Sequence, residues 1–214
     1  MKKLLIVTFL LTFGIIFAQE KEENLNIQKG TWNFGGEFSI NLANSENIQD
    51  AKIENDRFNF GFSPKFGYTL ENNLIIGLGL GYSYLKDKVD YNDSDRYDAT
   101  SNTYSVFPYI KKIIPITNKF AFILQGELRY SKYKNDFVEY TSLIQDKSRD
   151  TFFAGIRPGI TYFLTKKIAL EANLGSLGYS TSKYDDNYSE EGKTNSFDFN
   201  LNSSNLNFGL SLYL

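Results

Sequence analysis

A chain of 214 residues with 23 basic and 25 acidic side chains has a formal charge of −2, a balance that points away from nucleic acid as a partner. It has no cysteine and no histidine, which excludes a disulfide framework, a Cys/His metal centre and any Ser–His or Cys–His nucleophile pair. Nineteen Phe and fifteen Tyr are a heavy aromatic load, suited to strands and to membrane interfaces.

In chain order, residues 1–18 read as an export signal. Lys2 and Lys3 are basic, Leu4 to Phe17 is an uncharged apolar run, and Ala18 is a small residue at the expected cleavage point. That run is shorter than the about 20 residues of a membrane-spanning helix. Residues 19–30 are polar and read as a short periplasmic leader. From Thr31 the pattern becomes apolar/polar alternation, the signature of strands with one apolar face. The first predicted strand carries Trp32, Phe34, Phe38, Ile40 and Leu42 on one face, and a polar stretch follows over 43–57. Next come Phe58 to Leu70, a tight turn at 71–73, and Leu74 to Tyr84. A polar loop is expected over 86–101, strands over 102–114 and from Phe120, and a tight connection at 115–118 between them. A third loop is expected over 134–150, a strand over 151–164, and a turn at 165–167. The seventh strand starts at Ile168 and changes parity near Gly175 and Ser176, as a bulge would cause. A last loop reaches Ser196, and the eighth strand, from Phe197, shifts parity again across 202–205.

Eight strands are thus joined alternately by long and short connections, the rhythm of a transmembrane barrel with short periplasmic turns and long outer loops. Pro64, Pro108 and Pro158 recur at one distance before three successive tight turns. Proline has no ladder N–H and a closed barrel has no edge, so these three are expected at bulges or at unpaired N–H positions.

Composition decides which face meets lipid. The alternate set is bulky and aromatic on one side and Gly, Ser, Asn and Thr on the other, while charges concentrate in the loops. Small residues suit the interior of an eight-stranded barrel, which is only wide enough to be filled by side chains. By parity Glu37, Lys65, Lys111, Gln125, Glu127, Arg129, Arg157 and Glu171 point inward. Charges in such a lumen must pair, either as a salt-bridge plug that holds strand register or as a selectivity filter. Phe107, Tyr109, Ile123, Phe153 and Phe163 add inward bulk. Trp32, Tyr68, Tyr84, Tyr104 and Tyr162 lie near strand ends and read as interface girdles.

Two motifs read as structural. Gly77, Gly79 and Gly81 superficially match a dinucleotide loop, but they sit within a strand rather than opening a helix. Asp90, Asn92, Asp93, Asp95 and Asp98 suggest calcium but lack the Gly and closing Glu of a calcium loop, and a solvated loop is the simpler reading. No cofactor is expected. The four long loops hold 17 acidic and 10 basic residues, making the outer rim acidic.

The final stretch alternates Leu206, Phe208, Leu210, Leu212 and Leu214 with small or polar residues. With Asn207, Gly209, Leu212 and Leu214 it resembles the terminal assembly signal of outer-membrane β-barrels, although it ends on Leu instead of an aromatic residue. Taken with the eight-strand rhythm over 31–214, the chain resembles the small outer-membrane barrel family of the OmpA transmembrane-domain and OmpX type. The resemblance implies a non-enzymatic protein of the Gram-negative outer membrane. It also implies contacts with lipid and lipopolysaccharide, delivery to the barrel-assembly machinery through the closing strand, and loops open to a surface ligand or protein. A narrow passive channel, and a secreted soluble barrel holding a small apolar ligand, are the alternatives.

Overall fold

A computed structural model describes residues 25–47, 53–91, 95–138, 147–186, 192–200 and 207–214. Ten antiparallel strand segments form it: β1 (Trp32–Asn47), β2 (Ile53–Glu71), β3 (Leu74–Tyr91), β4 (Asp95–Pro115), β5 (Phe120–Val138), β6 (Lys147–Phe163), β7 (Ile168–Asn173), β8 (Ser176–Asp186), β9 (Gly192–Asn200) and β10 (Asn207–Tyr213). From β1 to β7 each strand pairs with the next, β8 pairs with β6 and β9, and β10 pairs with β1 and β7. The sheet therefore closes into an up-and-down barrel. It is eight-stranded, because β7 and β8 pair with successive parts of β6 and form one interrupted strand. In turn β10 and β9 pair with β7 and β8, in the eighth place.

The interruption between β7 and β8 is a bulge. Gly159 faces Asn173 and Ile156 faces Leu177, so the β7–β8 side holds one extra residue. Gly175 takes it up at φ 133°, a value that glycine tolerates best. The parity change expected across 202–205 lies outside the described residues.

All three tight connections lie at one end of the barrel. Asn72 and Asn73 join β2 to β3, with Asn73 in the left-handed region at φ 64°, where Asn is among the few tolerated side chains. The other two use one device. Thr117 Oγ1 accepts from the Phe120 N–H at 3.0 Å, and Thr165 Oγ1 accepts from the Ile168 N–H at 3.0 Å, each hydroxyl fixing a turn locally.

The prolines sit where the ladder is interrupted. Toward β3, pairing runs Phe62–Tyr82 and resumes at Lys65–Gly79 in the same register, skipping Pro64. Toward β5 it runs Val106–Tyr130 and resumes at Tyr109–Glu127, skipping Pro108. Pro158 pairs with Leu124 on one side, and on the other its carbonyl accepts from the Leu174 N–H beside the bulge. Each proline thus falls where the regular pairing is interrupted on one side.

Two boundaries differ from the sequence reading. The stretches read as long loops are mostly strand: β1 reaches Asn47, β3 runs to Tyr91, β4 begins at Asp95 and β5 continues to Val138. There both faces are polar, so alternation disappears although the backbone ladder continues. The end of the expected leader also has structure. Ile27 is buried and its N–H donates to Asn73 Oδ1 at 2.8 Å, while the Asn73 N–H donates back to the Ile27 carbonyl. Residues 25–30 therefore lie over the barrel mouth at the tight-turn end.

Candidate functional site

Among the described residues, the lumen is where this fold concentrates ionisable groups away from solvent. It is built in layers. At the tight-turn end Ile27, Ile75, Ile113, Ala121, Phe163 and Tyr213 form an apolar floor. Phe107 and Tyr109 fill the middle, and the β3 glycines make room for them. Gly79 pairs with Phe107 and Gly77 with Tyr109, and a Cβ at either glycine would collide with the opposing ring. The Gly77–Gly81 motif thus accommodates two aromatic rings inside a narrow barrel.

Among these rings lie the charges. Lys65 bonds Glu37 and also donates to Gln125 Oε1 at 3.1 Å. Gln125 Nε2 donates to Glu127 Oε2 at 2.8 Å. Glu127 Oε1 accepts from Arg129 Nε at 2.8 Å and from Arg157 Nε at 2.9 Å. Asn173 donates to Glu37 as well. These contacts make one continuous network across the barrel. A second centre holds Lys111 Nζ 2.8 Å from Glu171 Oε1, and the same oxygen accepts from Ser211 at 2.8 Å and Tyr213 at 3.2 Å. Each cation also lies near a ring, the nearest being the Arg129 guanidinium 3.6 Å from the centroid of Phe107, a favourable arrangement.

All seven charged residues singled out by parity therefore meet in the lumen: Glu37, Lys65, Lys111, Glu127, Arg129, Arg157 and Glu171. Lys111 and Gln125 are essentially inaccessible. Sequence reasoning missed Asn173, Ser211 and Tyr213. Their parity matches that of Glu171 on one strand and Gly209 on the other, and that signal could have found them.

On the outer face, Trp32 stacks on Phe66 at 5.0 Å and lies 4.8 Å from Tyr68. With Tyr162 they mark the tight-turn end of the apolar surface. Tyr104 packs against Tyr82 at 5.4 Å and Tyr84 against Phe58 at 6.2 Å, marking its other end. In the closing strand Gly209 is buried opposite Glu37, Leu212 is half-buried opposite Phe34, and Leu214 is exposed. The backbone of Asn207 pairs with Asn173. Of the calcium candidates, Asn92 and Asp93 lie outside the described residues. Among the described residues no group of three or more acidic side chains is placed to hold a metal.

No family model matches the chain, and neither does any curated protein. Among solved structures, Neisserial surface protein A (NspA) is similar with a TM-score of 0.46 and 14% identity, covering 86% of this chain and 99% of that one. A major outer membrane protein from Thermus thermophilus is similar with a TM-score of 0.44 and 11% identity, again covering 86% and 99%. Both scores lie below 0.5, and the barrel described above stands on its own strand pairings.

Proposed function

We propose that this chain is an integral outer-membrane β-barrel protein with a side-chain-plugged lumen, acting through its long outer hairpins in a structural or surface-interaction role. One observation carries the reading: the fold is inside-out. Leu78, Phe122, Leu128 and Leu210 are each about half exposed on the outer wall, whereas Lys111 and Glu171 are buried within. The ring of exposed apolar side chains runs round the whole barrel, well beyond the about 300–600 Å² of the largest apolar patch on an ordinary soluble protein. Its height also fits. From Leu74 to Tyr84 is ten residues along β3, about 33 Å of strand and, at a tilt of about 40°, about 25 Å along the axis. That equals the about 25 Å apolar band of outer-membrane barrels.

The same reading includes export by residues 1–18 with cleavage near Ala18, handover to the barrel-assembly machinery through Asn207, Gly209, Leu212 and Leu214, and contact of the acidic rim with lipopolysaccharide through divalent ions. A non-catalytic role belongs to it, because the chain has no histidine or cysteine. The paired charges and the Phe107–Tyr109 layer support a structural plug over a conducting channel. They also weigh against a soluble barrel for an apolar ligand, which needs an apolar interior. Cell fractionation tests the reading: recovery in the outer membrane with heat-modifiable gel migration is the expected result, and recovery in a soluble fraction without detergent contradicts it.

A further inference from the structure

Beyond the charged layer, toward the long hairpins, the inner wall changes to hydroxyls. A cavity of about 220 Å³ is lined there by Ser39, Ser63, Ser83, Thr103, Ser105 and Ser131, with Glu37 and Arg129 also contributing to its wall. It exceeds the about 150 Å³ of a protein cavity that accommodates benzene. All six hydroxyl residues are partly exposed, so solvent reaches it. Nothing in the plug accounts for this lining, because the salt-bridge network is complete without these hydroxyls apart from Ser105.

Charge counting gives the space a sign. Among the described residues of this layer, Lys65, Lys111, Arg129 and Arg157 pair with Glu37, Glu127 and Glu171, leaving one positive charge in excess. Outside that layer Arg149, held over the rings of Tyr133 and Tyr184, and Asp198, bonded to Ser196, add one charge of each sign, so the excess stays positive. Of the plug cations, Arg129 is the one that lines the cavity. Two of its nitrogens bond Glu127 and Nη1 donates to Ser105 Oγ at 3.3 Å. A guanidinium has five N–H donors, and those three bonds do not use them all. Gly81 leaves the space beside them clear. A Cβ there would lie 3.6 Å from Arg129 Nη1 and 3.3 Å from Ser63 Oγ, and closer still to Ser105 Oγ.

The geometry points to a binding site for a small polyhydroxylated monocarboxylate, of the sugar-acid class, in this vestibule. The carboxylate takes the excess charge at Arg129, whose planar fork suits it, and the ligand's hydroxyl groups exchange hydrogen bonds with the surrounding Ser and Thr side chains. A dianion fits less well, because Glu37 and Glu127 lie close by. The site stands whether or not the barrel's outer hairpins bind a protein partner.

Calorimetric titration of the full folded chain in detergent micelles, at constant ionic strength, tests this with sodium gluconate and with glucose as its neutral counterpart. Saturable gluconate binding at least tenfold tighter than glucose is expected. Arg129→Gln and, independently, Gly81→Ala are each expected to weaken it at least tenfold, with folding checked by heat-modifiable migration. Should Arg129→Gln not fold, Gly81→Ala decides, since it keeps every charge. No gluconate binding by the wild type, equal binding of glucose, or wild-type affinity in the folded variants would overturn the proposal.

Discussion

Lys111 and Glu171 stand on strands that do not touch, β4 and β7, yet their Nζ and Oε1 atoms meet at 2.8 Å across the lumen. The contact ties opposite walls of the barrel together where both side chains are almost wholly buried. Two strands, β5 and β6, lie between them round the wall. Such a bridge can form only when the arc from β4 to β7 is curled and paired in the correct register.

Breaking it should therefore be costly. Glu171→Gln or Lys111→Met leaves one uncompensated buried charge and is expected to lower stability by about 3–5 kcal/mol. The double change to Met and Leu removes both charges and should recover most of that loss. Urea unfolding in lipid vesicles, read as a double-mutant cycle, checks both values.

The Arg57–Asp87 pair provides a contrast at nearly the same distance, 2.7 Å. Its Arg side chain is 53% exposed, and it sits on the outer hairpin. Asp87→Asn should change stability by no more than about 1 kcal/mol, with the effect shrinking in high salt. Equal losses for this pair and for Lys111–Glu171 would show that the lumen is as wet as the surface.

Ring packing gives a third expectation. A methyl at Gly79 would sit within the Phe107 ring, so Gly79→Ala should destabilise by about 1–3 kcal/mol, as overpacking does. Phe107→Leu in the same chain should relieve part of it. A coupling energy near zero in that cycle would contradict the arrangement.

Much of this was legible in the sequence, and the part that was not has a physical cause. Alternation identified the outer row from Trp32 to Leu42 because one face carries exposed apolar side chains on the outer wall and the other fills the lumen. The same rule failed at 43–57 and 86–101: past the apolar band both faces are polar, so a continuing ladder leaves no period-two trace. Parity placed Glu37, Lys65 and Glu171 on the inner wall. It could not show that Lys65 would choose Glu37 and Lys111 would choose Glu171, because cross-lumen partners depend on the stagger of the closed ring. Ile27 escapes the pattern for a different reason: Leu25 and Ile27 are too short an alternation in a polar stretch to read as an element, and the two bonds to Asn73 reveal where Ile27 docks.

The plug leads to an expectation about conductance. Phe107 and Tyr109 are buried side by side, ring centroids 6.4 Å apart, in the middle of the lumen among the paired charges. Planar-bilayer recordings should show no sustained current for the wild type. The Phe107→Ala, Tyr109→Ala double variant should conduct if it remains folded. Steady wild-type current would instead favour the channel reading.

Placement of the outer row in acyl chains is open to direct measurement. Arginine at Leu78, which lies between the two aromatic girdles, should cost about 2–4 kcal/mol in a bilayer, but fluorescence is more immediate. Trp32 is the only tryptophan, and it is 44% exposed on the outer wall. In reconstituted vesicles its emission should be quenched by lipids brominated near the headgroup and spared by aqueous iodide. A Trp32→Phe, Leu78→Trp chain should be quenched most by lipids brominated deep in the acyl region. Iodide quenching without lipid quenching at both positions would show that these side chains face water, and would contradict the account.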